Sequence, residues 1–383
     1  MIVAVPRERQ PGEKRVALIP AAVPPLLKAG MDVLIETGAG LAAGYQDQQY
    51  VDKGARIVST PSELAATEVL LQVRAAGAVI SPSDELPEYR PGQVVIAQCD
   101  PLGNPSGVAQ MASKGVTLFA LELLPRITRA QSMDVLSSQA TIAGYRAVLL
   151  AASHLPKLFP MLITAAGTLN AAKVFIVGAG VAGLQAIATA RRLGAAVSAY
   201  DVRPAVKEQV QSLGAKFIEM PLEAGNAETR GGYAQEMGEE FYRRQRELMA
   251  RVVADSDVVI TTAAVPGKKS PILVTADMVA KMDPGSVIVD LAAERGGNCE
   301  LTQAGETVVR NGVTILGPLD VPADVPQHAS QMYAKNISTF LLNLVKDKQL
   351  HINLEDEIVR DTLVACDGKI ASSRVQELLS SPA

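Results

Sequence analysis

Gly178, Gly180 and Gly183 stand in a Gly-Ala-Gly-Val-Ala-Gly run that follows the apolar residues Val174-Phe-Ile-Val177 and opens an alanine-rich stretch. Glycines at this spacing hold a dinucleotide only where a strand runs into a helix, and that is their context here. Gly178 permits the tight turn, Gly180 lets a pyrophosphate approach the backbone, and Gly183 lets the helix pack on the strand. The helix N-terminus, with Ala179 and Val181 around the second glycine, then faces the negative charge. A second apolar run, Ala196–Tyr200, ends at Asp201, the acid expected about 20 residues beyond the first glycine. Its carboxylate accepts hydrogen bonds from both ribose hydroxyls and repels a 2′-phosphate, which favours NAD over NADP. Arg203, beyond Val202, is a group able to receive such a phosphate. A glycine turn in a purely structural domain is the plainer alternative.

A second polar constellation is Arg126-Ile127-Thr128-Arg129-Ala-Gln131-Ser132-Met-Asp134-Val-Leu-Ser137-Ser-Gln139. A capped, solvated helix start explains it simply. Beside the cleft of a two-domain dinucleotide protein, Arg126, Gln131 and Asp134 are also suited to a carboxamide and a ribose.

The elements that position these residues alternate between strand and helix. Ile2–Val5, Asp32–Glu36, Ala55–Val58, Val69–Val73, Val94–Gln98 and Val116–Leu121 read as strands, with helices between them. The alternation restarts at Lys173, with strands at 174–177, 196–200, 216–218, 258–261 and 286–290. Nearly continuous apolar strands imply parallel sheets covered on both faces. Long helical patterns at 132–153 and 329–346 carry the chain into and out of the second domain, and 354–365 returns to the first. The expected fold is α/β: two Rossmann-like doubly wound parallel-sheet domains with a cleft between them, joined by long helices. The expected domains are 1–131 with 345–383, and 132–344 for dinucleotide binding.

Composition narrows the function. Lys+Arg 36 against Asp+Glu 40 leaves a net charge of −4, so the surplus of cations that nucleic acid requires is missing. Three scattered cysteines and three histidines, without CxxC or HExxH, give neither a disulfide framework nor a zinc site; no metal is expected. The most apolar region, 147–190, is interrupted by His154, Pro156, Lys157, Pro160, Asn170, Lys173 and Gln185, so no membrane span is expected. The N-terminus has no pattern of a signal peptide.

With these segments read, the chain resembles the soluble NAD(H)-binding subunit (domain I, alpha-1) of proton-translocating NAD(P) transhydrogenase, a family related to alanine dehydrogenase. The resemblance runs through Arg15-Val-Ala-Leu, 126–146, 178–203, Gly231-Gly-Tyr-Ala-Gln-Glu-Met237, 290–298 and Asn353-Leu-Glu-Asp-Glu-Ile-Val359. The 126–134 stretch is similar to the family's RQD loop, the most specific of these signatures. The resemblance implies that Arg126, Gln131, Asp134 and Ser137, with Ile127 and Thr128 between them, surround the nicotinamide and its ribose. It implies that Gly180, Val181 and Asp201-Val202-Arg203 bind the pyrophosphate and adenosine end. Gly232 and Tyr233 would close over the nucleotide, and Gln245 and Ala264 match further lining positions.

The implied activity is oxidoreductase and translocase. Hydride passes directly from NADH here to NADP+ on a partner subunit, coupled to proton movement through a membrane-spanning subunit. The implied assembly is a homodimer joined through the second domains, peripheral to the cytoplasmic side of a bacterial inner membrane. An alanine dehydrogenase needs a base to take a proton from its amine. Its histidine position falls in Ile96-Ala-Gln-Cys-Asp100, which has none, and its lysine and aspartate positions read Arg74 and Glu294. Transfer between nicotinamides needs alignment instead. A non-catalytic NAD(H)-sensing module is the third reading.

Overall fold

The computed structural model describes residues 1–75, 89–219, 239–264 and 267–380, without the side chains of 61 and 239–242. Gly232 and Tyr233 lie outside the described residues. The chain divides into two compact units, 1–139 with 322–383, and 140–321.

The first unit is built on an 8-stranded sheet. Ile2–Val5 lies centrally, flanked by Asp32–Glu36 and Arg56–Val58 on one side and by Val69–Arg74, Val94–Gln98 and Thr117–Ala120 on the other, all parallel. Alternate residues of these strands enter two apolar layers. Val3, Val5, Val33, Ile35, Leu71, Ile96 and Phe119 face one; Ala4, Leu34, Leu70, Val95, Ala97 and Leu118 face the other. Burial of both faces is why the strands read as unbroken apolar runs. The helix Pro326–Asn343 contributes Tyr333, Ile337, Phe340 and Leu341 to the first layer, with Phe340 edge-on to Phe119 at 5.4 Å. The tail strands Leu363–Cys366 and Lys369–Ile370 extend the sheet antiparallel beyond Thr117–Ala120.

The second unit repeats the winding in a 7-stranded sheet. Lys173–Val177 pairs in parallel with Ala196–Tyr200 on one side and Val258–Thr261 on the other. Lys216–Phe217 borders Ala196–Tyr200, and Val287–Asp290 and Val313–Leu316 continue beyond Val258–Thr261. Thr307–Arg310 closes the sheet antiparallel. In both units the connections reverse direction across one pair of neighbouring central strands, the topological switch point of a doubly wound sheet.

The helix Val135–His154 begins in the first unit and ends in the second, where Ala147, Val148 and Ala151 enter the core. Among the described residues, no helix is long and apolar enough to cross a membrane.

Candidate functional site

The glycine turn lies at the second unit's switch point. Lys173–Val177 ends at Gly178, whose φ of +96° is left-handed backbone that only glycine adopts without strain. A Cβ there would also meet Thr262 Oγ1 at 2.6 Å. Gly183 is required for packing: a Cβ on it would lie 1.9 Å from the Gly178 carbonyl oxygen. Gly144, on the long helix, stands equally close to the turn that follows, since its Cβ would lie 2.1 Å from the Ala182 oxygen.

Gly180 differs. It N-caps the helix Val181–Arg192, no side chain caps that helix, and nothing lies within 4 Å of a Cβ placed on it. The first-turn N–H groups and the open space over Gly180 suit a pyrophosphate. The residues present therefore fit a dinucleotide.

Asp201 closes the neighbouring strand. Its Oδ2 accepts from Ala179 N at 2.7 Å, and its Oδ1 from Arg203 N at 2.9 Å. The Arg203 side chain adds a two-pronged ion pair, Nε to Oδ1 and Nη2 to Oδ2, each 2.9 Å. Gln245 is buried and donates to the Tyr200 hydroxyl at 3.1 Å. Burial pushes that phenol up to about 12, so it is a neutral donor or acceptor at neutral pH. Gln245 thus braces the strand end next to Asp201.

Along the same sheet edge, Asp290 is fully buried. It accepts from Thr261 Oγ1 (2.9 Å), Thr302 Oγ1 (2.7 Å) and the N–H groups of Ala292, Asn298 and Cys299. Asn298 in turn grips Ala263 through both backbone groups, accepting from its N–H at 3.0 Å and donating to its carbonyl at 2.8 Å. Ala264, the next residue, is exposed. These contacts fix the loop after Val258–Thr261 without filling its outer face. Thr262 lies in a strand end whose small residues mark it as a sheet edge, and Asp290 and Asn298 bound a stretch that carries the resemblance, but the bonds that join them come from contacts distant in sequence. The small-residue run Thr261-Thr-Ala-Ala264 is the signal that marks the place.

In the first unit, Thr128–Met133 forms a 3-10 turn, and Asp134 caps the long helix. Asp134 Oδ1 accepts from Ser137 N at 2.9 Å and Oδ2 from Ser137 Oγ at 2.5 Å. Asp134 and Ser137 are therefore brought together, half-buried, while Arg126, Thr128 and Gln131 are exposed and Ile127 half-buried. Arg129 pairs with Asp356, which holds the segment against the returning tail.

The first unit's switch point, between Ile2–Val5 and Val69–Arg74, is filled by its own chain. Glu8 accepts from Val73 N at 2.6 Å and Arg74 N at 3.2 Å. Burial, reinforced by Glu13, raises its carboxyl to about 8. Glu13 has a fully buried side chain and receives Arg15 Nε at 2.8 Å and Nη2 at 2.5 Å, while Arg15 Nη1 donates to Gln139 at 3.0 Å. Tyr333 caps the group, donating to the Gln72 and Val73 carbonyls. Past the strand Val94–Gln98, the N–H groups of Cys99 and Asp100 donate to Glu122, whose carboxyl burial raises to about 7. Cys99 itself is buried, and its thiol is pushed well above its usual range.

Two doubly wound sheets, one carrying an uncapped glycine turn at its switch point, define a dinucleotide-binding α/β protein. Residues 4–143 match the N-terminal domain and residues 147–373 the C-terminal domain of alanine dehydrogenase/PNT, and the chain belongs to that family. It is 48% identical, over 97% of both chains, to the first portion of the NAD(P) transhydrogenase subunit alpha of Rhodospirillum rubrum. The crystal structure of a transhydrogenase from Sinorhizobium meliloti is similar at 48% identity with a TM-score of 0.86, over 97% of this chain and 100% of that one. An L-alanine dehydrogenase structure is similar at 26% identity with a TM-score of 0.81, over 99% of each chain.

Proposed function

We propose that this chain is the NAD(H)-binding subunit of a proton-translocating transhydrogenase, passing hydride directly between NAD(H) here and NADP(H) on a partner subunit. A membrane-spanning subunit couples that transfer to proton movement, and this chain sits on the membrane's cytoplasmic side. The bound nicotinamide supplies the hydride. The chain's residues hold and orient it. The Gly178–Gly183 turn and the first-turn N–H groups, including Val181, receive the pyrophosphate. Asp201 accepts from the adenosine ribose. Gln131 and Arg126 orient the carboxamide, and Asp134 with Ser137 fixes the nicotinamide ribose.

The observation that carries this reading over amino-acid oxidation is the end of the strand Val94–Gln98. Gln98, Cys99 and Asp100 stand where a dehydrogenase places its histidine, and burial pushes the Cys99 thiol well above its usual range, so it stays protonated and is no base. Direct hydride transfer requires alignment and no such base.

A homodimer is supported by the hairpin Leu162–Thr164 and Gly167–Leu169, every residue of which is exposed. With Leu158, Met161, Leu162, Ile163 and Leu169 all at least 40% exposed, it presents apolar surface that a second copy would cover.

The decisive experiment mixes the purified chain with the NADP(H)-binding subunit and follows hydride transfer from NADH to an NADP+ analogue, with alanine plus NAD+ as the competing assay. Transfer without alanine oxidation is expected. Alanine oxidation by the chain alone would replace this reading with the dehydrogenase.

A further inference from the structure

We propose that Arg203 is a latch on the adenosine-ribose subsite: its guanidinium occupies the two acceptor positions of Asp201 that a ribose diol takes, so NAD(H) binds by exchange. This rests on the NAD(H) reading above.

A carboxylate offers about four lone-pair sites. Two of those on Asp201 are filled by the backbone N–H groups of Ala179 and Arg203, at 2.7 and 2.9 Å. These donors belong to the turn itself and keep the carboxylate oriented whatever is bound. The other two are taken by Arg203 Nε and Nη2, one on each oxygen, both at 2.9 Å. That parallel fork is the strongest geometry an arginine can make with a carboxylate. The side chains are only 6% (Asp201) and 15% (Arg203) exposed, so water and salt compete weakly for the pair.

The two hydroxyls of a ribose donate the same number of hydrogen bonds to the same two oxygens. Diol and guanidinium therefore exclude one another. Release needs no backbone change. Arg203 N stays on Asp201, and the Arg203 carbonyl still receives Val206 N at 3.3 Å to start the 3-10 turn Pro204–Val206. Only the side chain leaves.

The latch has two opposed consequences for specificity. It weakens NAD(H), which must displace an internal ligand. It also softens the exclusion of a 2′-phosphorylated nucleotide, because the displaced guanidinium remains tethered next to Asp201 and pairs readily with a phosphate. Removing it should tighten NAD(H) and sharpen the discrimination together, a combination that a simple ligand contact does not produce.

The test is calorimetric titration of wild type, Arg203→Met and Arg203→Lys with NADH, NADPH, ADP and 2′,3′-dideoxy-ADP, which lacks the diol. Arg203→Met should tighten NADH and ADP roughly tenfold or more, as a shielded, forked pair implies. It should leave dideoxy-ADP unchanged and widen the ratio of NADPH to NADH dissociation constants. Arg203→Lys, which keeps the charge and loses the fork, should fall between. Weaker NADH binding in Arg203→Met, or an equal shift for ADP and dideoxy-ADP, overturns the latch. If that variant does not fold, the Arg203 side-chain N–H resonance of the wild type decides: it should move with ADP and stay with saturating dideoxy-ADP, and identical movement with both overturns the proposal. Wild-type chain with no measurable affinity for NADH sinks the NAD(H) reading itself, before any variant is considered.

Discussion

The two switch points of this molecule share a winding and differ in what fills them. In the second unit, the crevice between Lys173–Val177 and Val258–Thr261 is lined by Gly178, Gly180 and Thr262, with open space over Gly180. In the first, the equivalent crevice between Ile2–Val5 and Val69–Arg74 takes the Glu8 carboxyl group onto the backbone of Val73 and Arg74. Each also carries an acid and an arginine two residues apart: Glu13 with Arg15, and Asp201 with Arg203. The first pair is sealed, with side chains 0% and 2% exposed, and its arginine is anchored further by Gln139. The second faces the glycine turn. The winding makes a crevice in both units, but side-chain choice decides whether a crevice is core or site.

The largest test of that contrast is the loss of each acid. Glu13→Ala strands the Arg15 cation in the interior, and removing one partner of a buried pair costs about 3–5 kcal/mol. Asp201→Ala leaves an arginine that reaches solvent more easily, so it should cost less, about 1.5–3 kcal/mol in stability, yet weaken NADH and relax discrimination against NADPH. Urea unfolding and nucleotide titration of both variants separate the effects; equal stability losses would erase the distinction between lock and site.

Within the second unit, Gly183→Ala drives a methyl into the Gly178 carbonyl and should lose about 1–3 kcal/mol or more. Gly180→Ala sits at φ −75° with nothing nearby, so it should melt like wild type while weakening NADH about tenfold or more. A Gly180→Ala protein with normal NADH affinity would mean that the pyrophosphate lies elsewhere.

The remaining test is a pH slope. The Glu8 carboxyl is raised from 4.5 to about 8, so between those values the folded chain holds a proton that the unfolded chain has released. Its contribution is complete below the unfolded value and is lost as pH rises toward about 8. Glu122, raised to about 7, acts in the same direction. Glu8→Gln, permanently neutral, should flatten the decline between about pH 5 and about pH 8, as measured by denaturant midpoints. An unchanged slope would mean that Glu8 is ionised in the fold.

The buried strands were legible because both sheet faces are covered: Ile2–Val5, Asp32–Glu36, Val94–Gln98, Ala196–Tyr200 and Val258–Thr261 have the limits read from sequence. Edge elements were not. Thr307–Arg310 buries one residue of its span, and the hairpin at 162–169 buries none, so neither carries an apolar run. The long helix begins at Val135 rather than Ser132, since Thr128–Met133 winds as a 3-10 turn before Asp134 caps. The glycine turn and Asp201 were legible because a local spacing encodes them. The packing of Glu8, Glu13 and Arg15 was not, because charges following a first strand read as solvated. Partners far along the chain place them in the interior: Val73 and Arg74 for Glu8, and Gln139 for Arg15.

The first unit's interrupted course also sets an order of assembly during synthesis. The second unit, 140–321, is continuous and can close as soon as it clears the ribosome. The first cannot. Its opening strands are made early, but the helix Pro326–Asn343 that packs on Phe119 and on the Gln72 and Val73 carbonyls, and the strand Leu363–Cys366 that shields the edge of Thr117–Ala120, emerge only after the second unit. Until then an apolar sheet face and an unpaired edge stand open on the nascent chain, the surface that chaperones and aggregation compete for.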